Sequence, residues 1–251
     1  MTVNSLSALI HGVVAAATVP LISDLDDVFG LGSVQVHVKD DLALIASRVP
    51  GDIDLTALFA DQNRVAKVAL AHHQILAEIC TSVDVVPIRL GGVISGEQTA
   101  QELIRKDGDR FRETLRKIAG AVEFSVILND GAPRPVAAPK PSDGRSYLRG
   151  RSAVASQVHL RPLRIEAAMA AVDALLREGT RSQQARPLPH AEQGGQQRRF
   201  DTTYLVDRDN TTEFLRRCST LPALLADANL VSAVRGPWPS YSLAGELETT
   251  S

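Results

Sequence analysis

Apolar positions change their period along the chain, and the changes mark the elements. Ala8 to Ala16 form an almost continuous apolar run, the pattern of a strand covered on both faces. VQVHVK (34–39) alternates instead, with Val34, Val36 and Val38 on one face and Gln35, His37 and Lys39 on the other. Asp40-Asp41 supplies a turn, after which LALIAS (42–47) returns as an antiparallel partner. From Gln62 to Cys80 the spacing lengthens to three and four through Val65, Val68, Ala69, Leu76 and Ile79, a helix with one apolar face. DVVPIRL (84–90) reads as a short strand whose Pro87 lacks a backbone donor, which predicts an edge position or a bulge. Ser95-Gly96-Glu97-Gln98 has the form of a capping box. The helix it opens, to about Ala119, buries Leu103, Ile104, Phe111, Leu115 and Ile118 and turns Arg105, Lys106, Arg110, Arg112, Arg116 and Lys117 outward. VEFSVIL (122–128) then closes the first unit as another strand.

The pattern breaks at NDGAPRPVAAPKPSDG (129–144), a proline- and glycine-rich stretch that reads as an extended linker. Beyond it the pattern is helical to Gly179, with a bend or interruption expected at Pro162. Residues 180–198 are polar and read as a mobile loop. FDTTYLVDR (200–208) is a strand, residues 211–228 a helix broken near Pro222, and NLVSAVRG (229–236) the last strand. Helix, strand, helix and strand suit a ferredoxin-like domain, although one strand of its sheet is missing from the pattern. The expectation is an α+β protein of two domains. Residues 1–130 form an N-terminal mixed sheet packed with helices, 131–144 a linker, and 145–245 a ferredoxin-like domain ending in a C-terminal arm.

Composition narrows the class. Hydrophobic residues are 44 % and charged residues 22 % of the 251, the balance of a folded chain. Aromatics are only 4 %, so Ala, Val, Leu and Ile must build the core. A net charge of −2 gives no global pull toward nucleic acid or anionic lipid. LSALIHGVVAAATVPLI (6–22) could be taken for an export signal or a membrane span. It has no preceding Lys or Arg, carries His11 mid-run, is short, and is followed by Asp24, Asp26 and Asp27, so it reads as a buried strand and turn. Cys80 and Cys218 lie far apart without metal or redox spacing, which fits a reducing cytoplasm.

Candidate chemistry is sparse. The single tryptophan, Trp238, stands between Pro237 and Pro239, with Tyr241 close behind. Two prolines fix φ and remove two N–H donors, so this segment is expected to leave the sheet as a pre-organised arm. Trp238 and Tyr241 would then dock on the chain's own N-terminal domain, clamping the two domains, or on a partner protein. His72 and His73 are adjacent and point about 100° apart on a helix, which suits packing or capping rather than metal binding. Leu90-Gly91-Gly92-Val93-Ile94-Ser95-Gly96 lacks the lysine and spacing of a phosphate loop and reads as a turn with a helix cap. Arg145, Arg149 and Arg151 with Tyr147 form a basic cluster too small to argue for RNA over domain-interface ion pairs. Neither a nucleophile elbow nor paired acids occur in a recognisable frame, so no catalytic residue, cofactor or metal is expected, and the chain does not read as an enzyme.

Four segments together carry a resemblance. They are SALIHGVVAA; AHHQILAEICTSVDVVPIRLGGVISGEQTAQELI; DGRSYLRGR; and TTYLVDRDNTTEFLRRC leading to VRGPWPSYSL. In this order and spacing the chain resembles the gas vesicle accessory proteins of the F/L family over nearly its whole length, and GPWP-x-Y-S is the most specific part. It departs from the family pattern at Ala8, Ile10 and His11 before Gly12, where Tyr-x-Tyr-Gly is common. It departs again at Leu90-Gly91-Gly92 and at Ser240 after Pro239. The resemblance implies a two-domain α+β accessory protein of gas vesicle formation, cytoplasmic or on the vesicle. It implies binding to the small hydrophobic main shell protein (A type) alongside other accessory proteins, either preventing its aggregation or joining the vesicle as a minor component. It implies no nucleic acid or membrane partner. A reading from another class, a ligand-sensing module, rests on the analogy of the ferredoxin-like domain alone.

Overall fold

The structure, a computed structural model, describes residues 7–22, 25–30, 32–132, 144–188 and 197–244, with the backbone alone for 144–158 and 243–244. The linker residues 133–143 and residues 189–196 of the expected loop lie outside the described residues. The chain divides into two compact units, Met1–Glu123 with Gly236–Ser251, and Phe124–Arg235.

The first unit contains β1 (Ala8–Ala15), β2 (Gln35–Lys39), β3 (Leu42–Arg48), α1 (Leu55–Ala60), α2 (Gln62–Ser82), β4 (Val85–Pro87), β5 (Val93–Ile94) and α3 (Glu97–Ile118). Its sheet runs β2-β3-β1-β4, with β5 also on β1, and each of these pairings is antiparallel. The β2–β3 hairpin turns at Asp40-Asp41 as the alternation predicts, with Asp40 at φ 55°. Pro87 sits opposite Gly12 on the outer strand β4, where a missing donor is tolerated.

Both faces of the sheet are covered. Ala8, Ile10, Val13, Leu42, Leu44 and Ala46 pack with Ile104, Phe111 and Ile118 of α3. On the other face Val14, Ala43 and Ile45 meet Ile75, Leu76 and Ile79 of α2, while Leu9 packs with Leu58 and Val68. Along β1 the α3-facing residues pass from even to odd numbers, from Ile10 to Val13. A strand cannot do this without an extra residue, and the register slips between Ile10 and Gly12, at His11. On β2 the valine face is only partly used. Val34 and Val36 join the α2 cluster, but Val38, nearer the turn, is 48 % exposed, whereas His37 is nearly buried and meets Glu97 at the start of α3.

Aspartates cap two helices as side-chain acceptors: Asp54 for α1 and Asp61 for α2. The capping box expected at Ser95 is not what starts α3. Gly96, at φ 112°, is the N-cap residue, and the Thr99 hydroxyl accepts from the Ser95 N–H and donates to the Gly96 carbonyl. A residue free to take positive φ displaces the serine from the cap.

The second unit contains α4 (Gly144–Arg177), β7 (Thr180–Ala185), β8 (Arg198–Asp207), α5 (Thr211–Cys218) and α6 (Leu221–Leu225), with β6 (Ala121–Asp130) from Phe124 onward and β9 (Leu230–Trp238) as far as Arg235. The strand order β7-β8-β6-β9, with helices after β6 and β8, is ferredoxin-like. VEFSVIL does not close the first sheet: β6 is a central strand of the second. Residues 180–185 are not loop but β7, an edge strand whose polar TRSQQA gave no apolar alternation to read. A helix passes through Pro162 without ending, while Pro222 opens α6 after a break, as expected. Phe124, Tyr204 and Phe214 form the aromatic centre of this unit, with ring centroids 4.9 and 5.7 Å apart. Arg217 donates to the carbonyls of Leu175 and Glu178, closing the C-terminus of α4.

Candidate functional site

The proline-flanked segment does not leave the sheet where expected, because β9 runs through Gly236 and Pro237 to Trp238. It can, since β9 is an edge strand and proline lacks only a donor that an outer edge does not need. Pro237 is exposed, Trp238 half-buried, and Pro239 and Ser240 buried. A short helix, α7 (Tyr241–Ala244), follows. Ser242 donates through its N–H and hydroxyl to the buried Glu123 carboxylate, at 2.9 and 2.5 Å.

These residues converge on one side chain of α2. The Trp238 ring lies 4.4 Å from the His73 ring at 60°, and Tyr241 stacks on it at 5.9 Å and 28°. The Tyr241 hydroxyl is 3.0 Å from His73 Nδ1. Burial lowers the His73 pKa. Burial, then the neighbouring Cys80 and Glu123, raise that of Tyr241. A protonated phenol donating to a neutral imidazole satisfies both.

His72, one residue away and pointing inward, belongs to a second group that the sequence reading missed. His11 Nδ1 lies 2.8 Å from His72 Nδ1, and His11 Nε2 lies 2.7 Å from Ser47 Oγ. Ser47 Oγ also accepts from the Val28 N–H, and the His72 ring bonds the backbone of Ile88. One proton direction satisfies every member: Val28 N–H to Ser47, Ser47 O–H to His11, His11 N–H to His72, and His72 N–H to the Ile88 carbonyl. Both rings are then neutral. Burial, then repulsion from His72, lowers the His11 pKa to about 3. Burial lowers that of His72 to about 4 against the opposing Ile88 bond. Ser47 has the partners of a nucleophile, yet it is 0 % exposed, so no substrate atom reaches its oxygen. The one cue was a histidine in the middle of an apolar run.

Elsewhere the candidates separate. Leu25, Val28, Ala71, Ile75, Asp26, Asp27, Gln74 and Glu78 line a pocket of about 250 Å³ between the loop before β2 and α2. The Leu90–Gly96 loop folds onto β1, where Ile10 N–H donates to the Gly92 carbonyl. Among the described residues no group of three or more His, Cys, Asp or Glu could hold a metal ion, and no helix is long and apolar enough to cross a membrane. The side chains of Arg145, Tyr147, Arg149 and Arg151 lie outside the described residues.

Two helix-clad antiparallel sheets, with an aromatic C-terminal segment seated on α2, define an α+β protein of a recognisable architecture. The crystal structure of the gas vesicle protein GvpF from Anabaena sp. PCC7120 shares it at a TM-score of 0.69 and 16 % identity, over 96 % of each chain. GvpF from Microcystis aeruginosa shares it at 0.65 and 14 %, over 95 % of this chain and 99 % of that one. At such identities the likeness is one of fold. The model of the gas vesicle synthesis protein GvpL/GvpF family matches residues 9–244, from β1 to the end of α7, and the chain belongs to that family. Gas vesicle protein L of Streptomyces sp. (strain CB03234) is 29 % identical over 233 residues, 83 % of this chain and 82 % of that protein. Gas vesicle protein F of the same strain is 24 % identical over 220 residues, 83 % and 87 %. Membership gives the chain an accessory role among gas vesicle components, in a family not known for enzymes.

Proposed function

We propose that this protein binds the small hydrophobic main shell protein of the gas vesicle and keeps it from aggregating before and during assembly, together with other accessory proteins. The reading is carried by the family match from residue 9 to residue 244, which takes in both units and the Trp238 segment. Binding needs no cofactor, nucleic acid or membrane, and takes place in the cytoplasm and at the growing vesicle. Trp238 and the exposed Pro237 are the contact residues. Pro239 and Tyr241 act beneath them as anchors, because a large aromatic surface held in place loses little entropy on docking.

The test is co-expression of the tagged chain with the main shell protein, for wild type and Trp238→Ala, with folding checked by circular dichroism. Soluble shell protein should co-purify with wild type and be lost from a folded Trp238→Ala. If wild type retains no shell protein with the other accessory proteins present, the proposal fails. If Trp238→Ala folds and binds as wild type does, the contact lies elsewhere.

A further inference from the structure

Helix α4 is apolar on two opposite sides. Ile165, Ala168, Val172 and Leu176 are buried in the second unit. At about 100° per residue, the positions facing directly away from them are Leu160, Leu163, Ala167, Ala170 and Ala174. All five are exposed, Leu160 by 42 % and Leu163 by 59 %. A helix that needed only to cover its own core would carry charge there. The spacing is three, four, three and four, the seam that packs against another helix at a shallow angle. Alanine at three of the five positions allows a close approach of backbones.

We infer that this outer face of α4 docks an amphipathic helix of a gas vesicle protein, one whose own apolar residues repeat at three and four. The inference rests on the reading that the chain binds an apolar vesicle protein. A second copy of the chain is the poorer occupant. Five side chains in one row suit a single helix laid along the seam and fall far short of the roughly 20 to 30 residues a side that two folded copies bury in a stable dimer. Charge orients the partner: Arg164 and Glu166 are exposed on opposite flanks of the seam, with no ion pair to another described residue. The matching helix sets an acid against Arg164 and a base against Glu166.

Thiol footprinting tests this in the full-length chain, where the native Cys80 and Cys218 are buried. Leu163→Cys and Ala170→Cys report the seam, and Gln184→Cys, on an exposed edge-strand position, is the control. Maleimide labelling is compared between the purified protein and cells assembling gas vesicles. Both seam thiols should label freely in the purified protein and at least fivefold more slowly during assembly, with the control unchanged. Equal seam labelling in both settings overturns the inference, as does protection in the purified protein alone, which would mean self-association. A photo-crosslinker at Ala167 then maps the partner. Adducts at three- and four-residue intervals fit a helix, and adducts at alternate residues refute it. Wild type that retains shell protein while the seam stays reactive defeats this inference alone. A protected seam on a chain that retains no shell protein defeats the earlier proposal alone.

Discussion

Acid should destabilise the first unit well before its carboxylates protonate. His11 and His72 are neutral in the fold, with pKa values of about 3 and about 4 against an ordinary 6.5. A histidine whose folded pKa is depressed contributes stability that is present above 6.5 and is lost as pH falls toward the folded value, because the unfolded chain binds the extra proton. Down to pH 5 both rings stay largely neutral in the fold, so the size of the loss is set mainly by the unfolded value. Two protons correspond to about 3 kcal/mol per pH unit well below 6.5, or roughly 4 kcal/mol in total between pH 7 and pH 5. That is a large part of the ~5–15 kcal/mol that holds a typical domain together. His73, with its pKa also lowered by burial, acts in the same direction. The assay is urea unfolding at pH 7, 6 and 5, followed by fluorescence of Trp238, the only tryptophan, which sits in the first unit. His11→Asn should reduce the pH slope by about one proton. An unfolding free energy that changes by less than about 1 kcal/mol across this range would refute the neutral-pair argument.

Two further substitutions probe the same unit. A Cβ at Gly12 would lie 2.8 Å from the Val86 carbonyl oxygen and 2.8 Å from Val85 Cγ2, so Gly12→Ala must push β4 away from β1. It should destabilise by about 1–3 kcal/mol, read from the urea midpoint, and an unchanged midpoint would contradict the close approach. Tyr241→Phe removes only the hydroxyl that meets His73 and should cost about 1 kcal/mol of stability, with Trp238 fluorescence reporting whether the aromatic stack persists.

What could be read along the chain was local. The β2–β3 hairpin, helices α2 and α3, the outer position of Pro87 and the break before Pro222 all follow from spacing or from proline, which act within a few residues. The Trp238 segment was legible as special, although its continuation of β9 and its seat on His73 were not. A β-branched and aromatic run such as VEFSVIL, with only Glu123 and Ser125 to interrupt it, fits the centre of either sheet, so only tertiary pairing decides that it joins β8 and β9. Polar TRSQQA becomes β7 because the β8 backbone offers it a ladder, and hydrogen bonds between backbones ignore side-chain period. His11 required the whole first unit. Its place in the core depends on one extra residue in β1, a serine from β3 and a histidine from α2, brought together across 36 and 61 residues of chain. Periodicity and proline set the local elements. Sheet membership and the buried histidine pair were fixed by contacts between segments that no local pattern encodes.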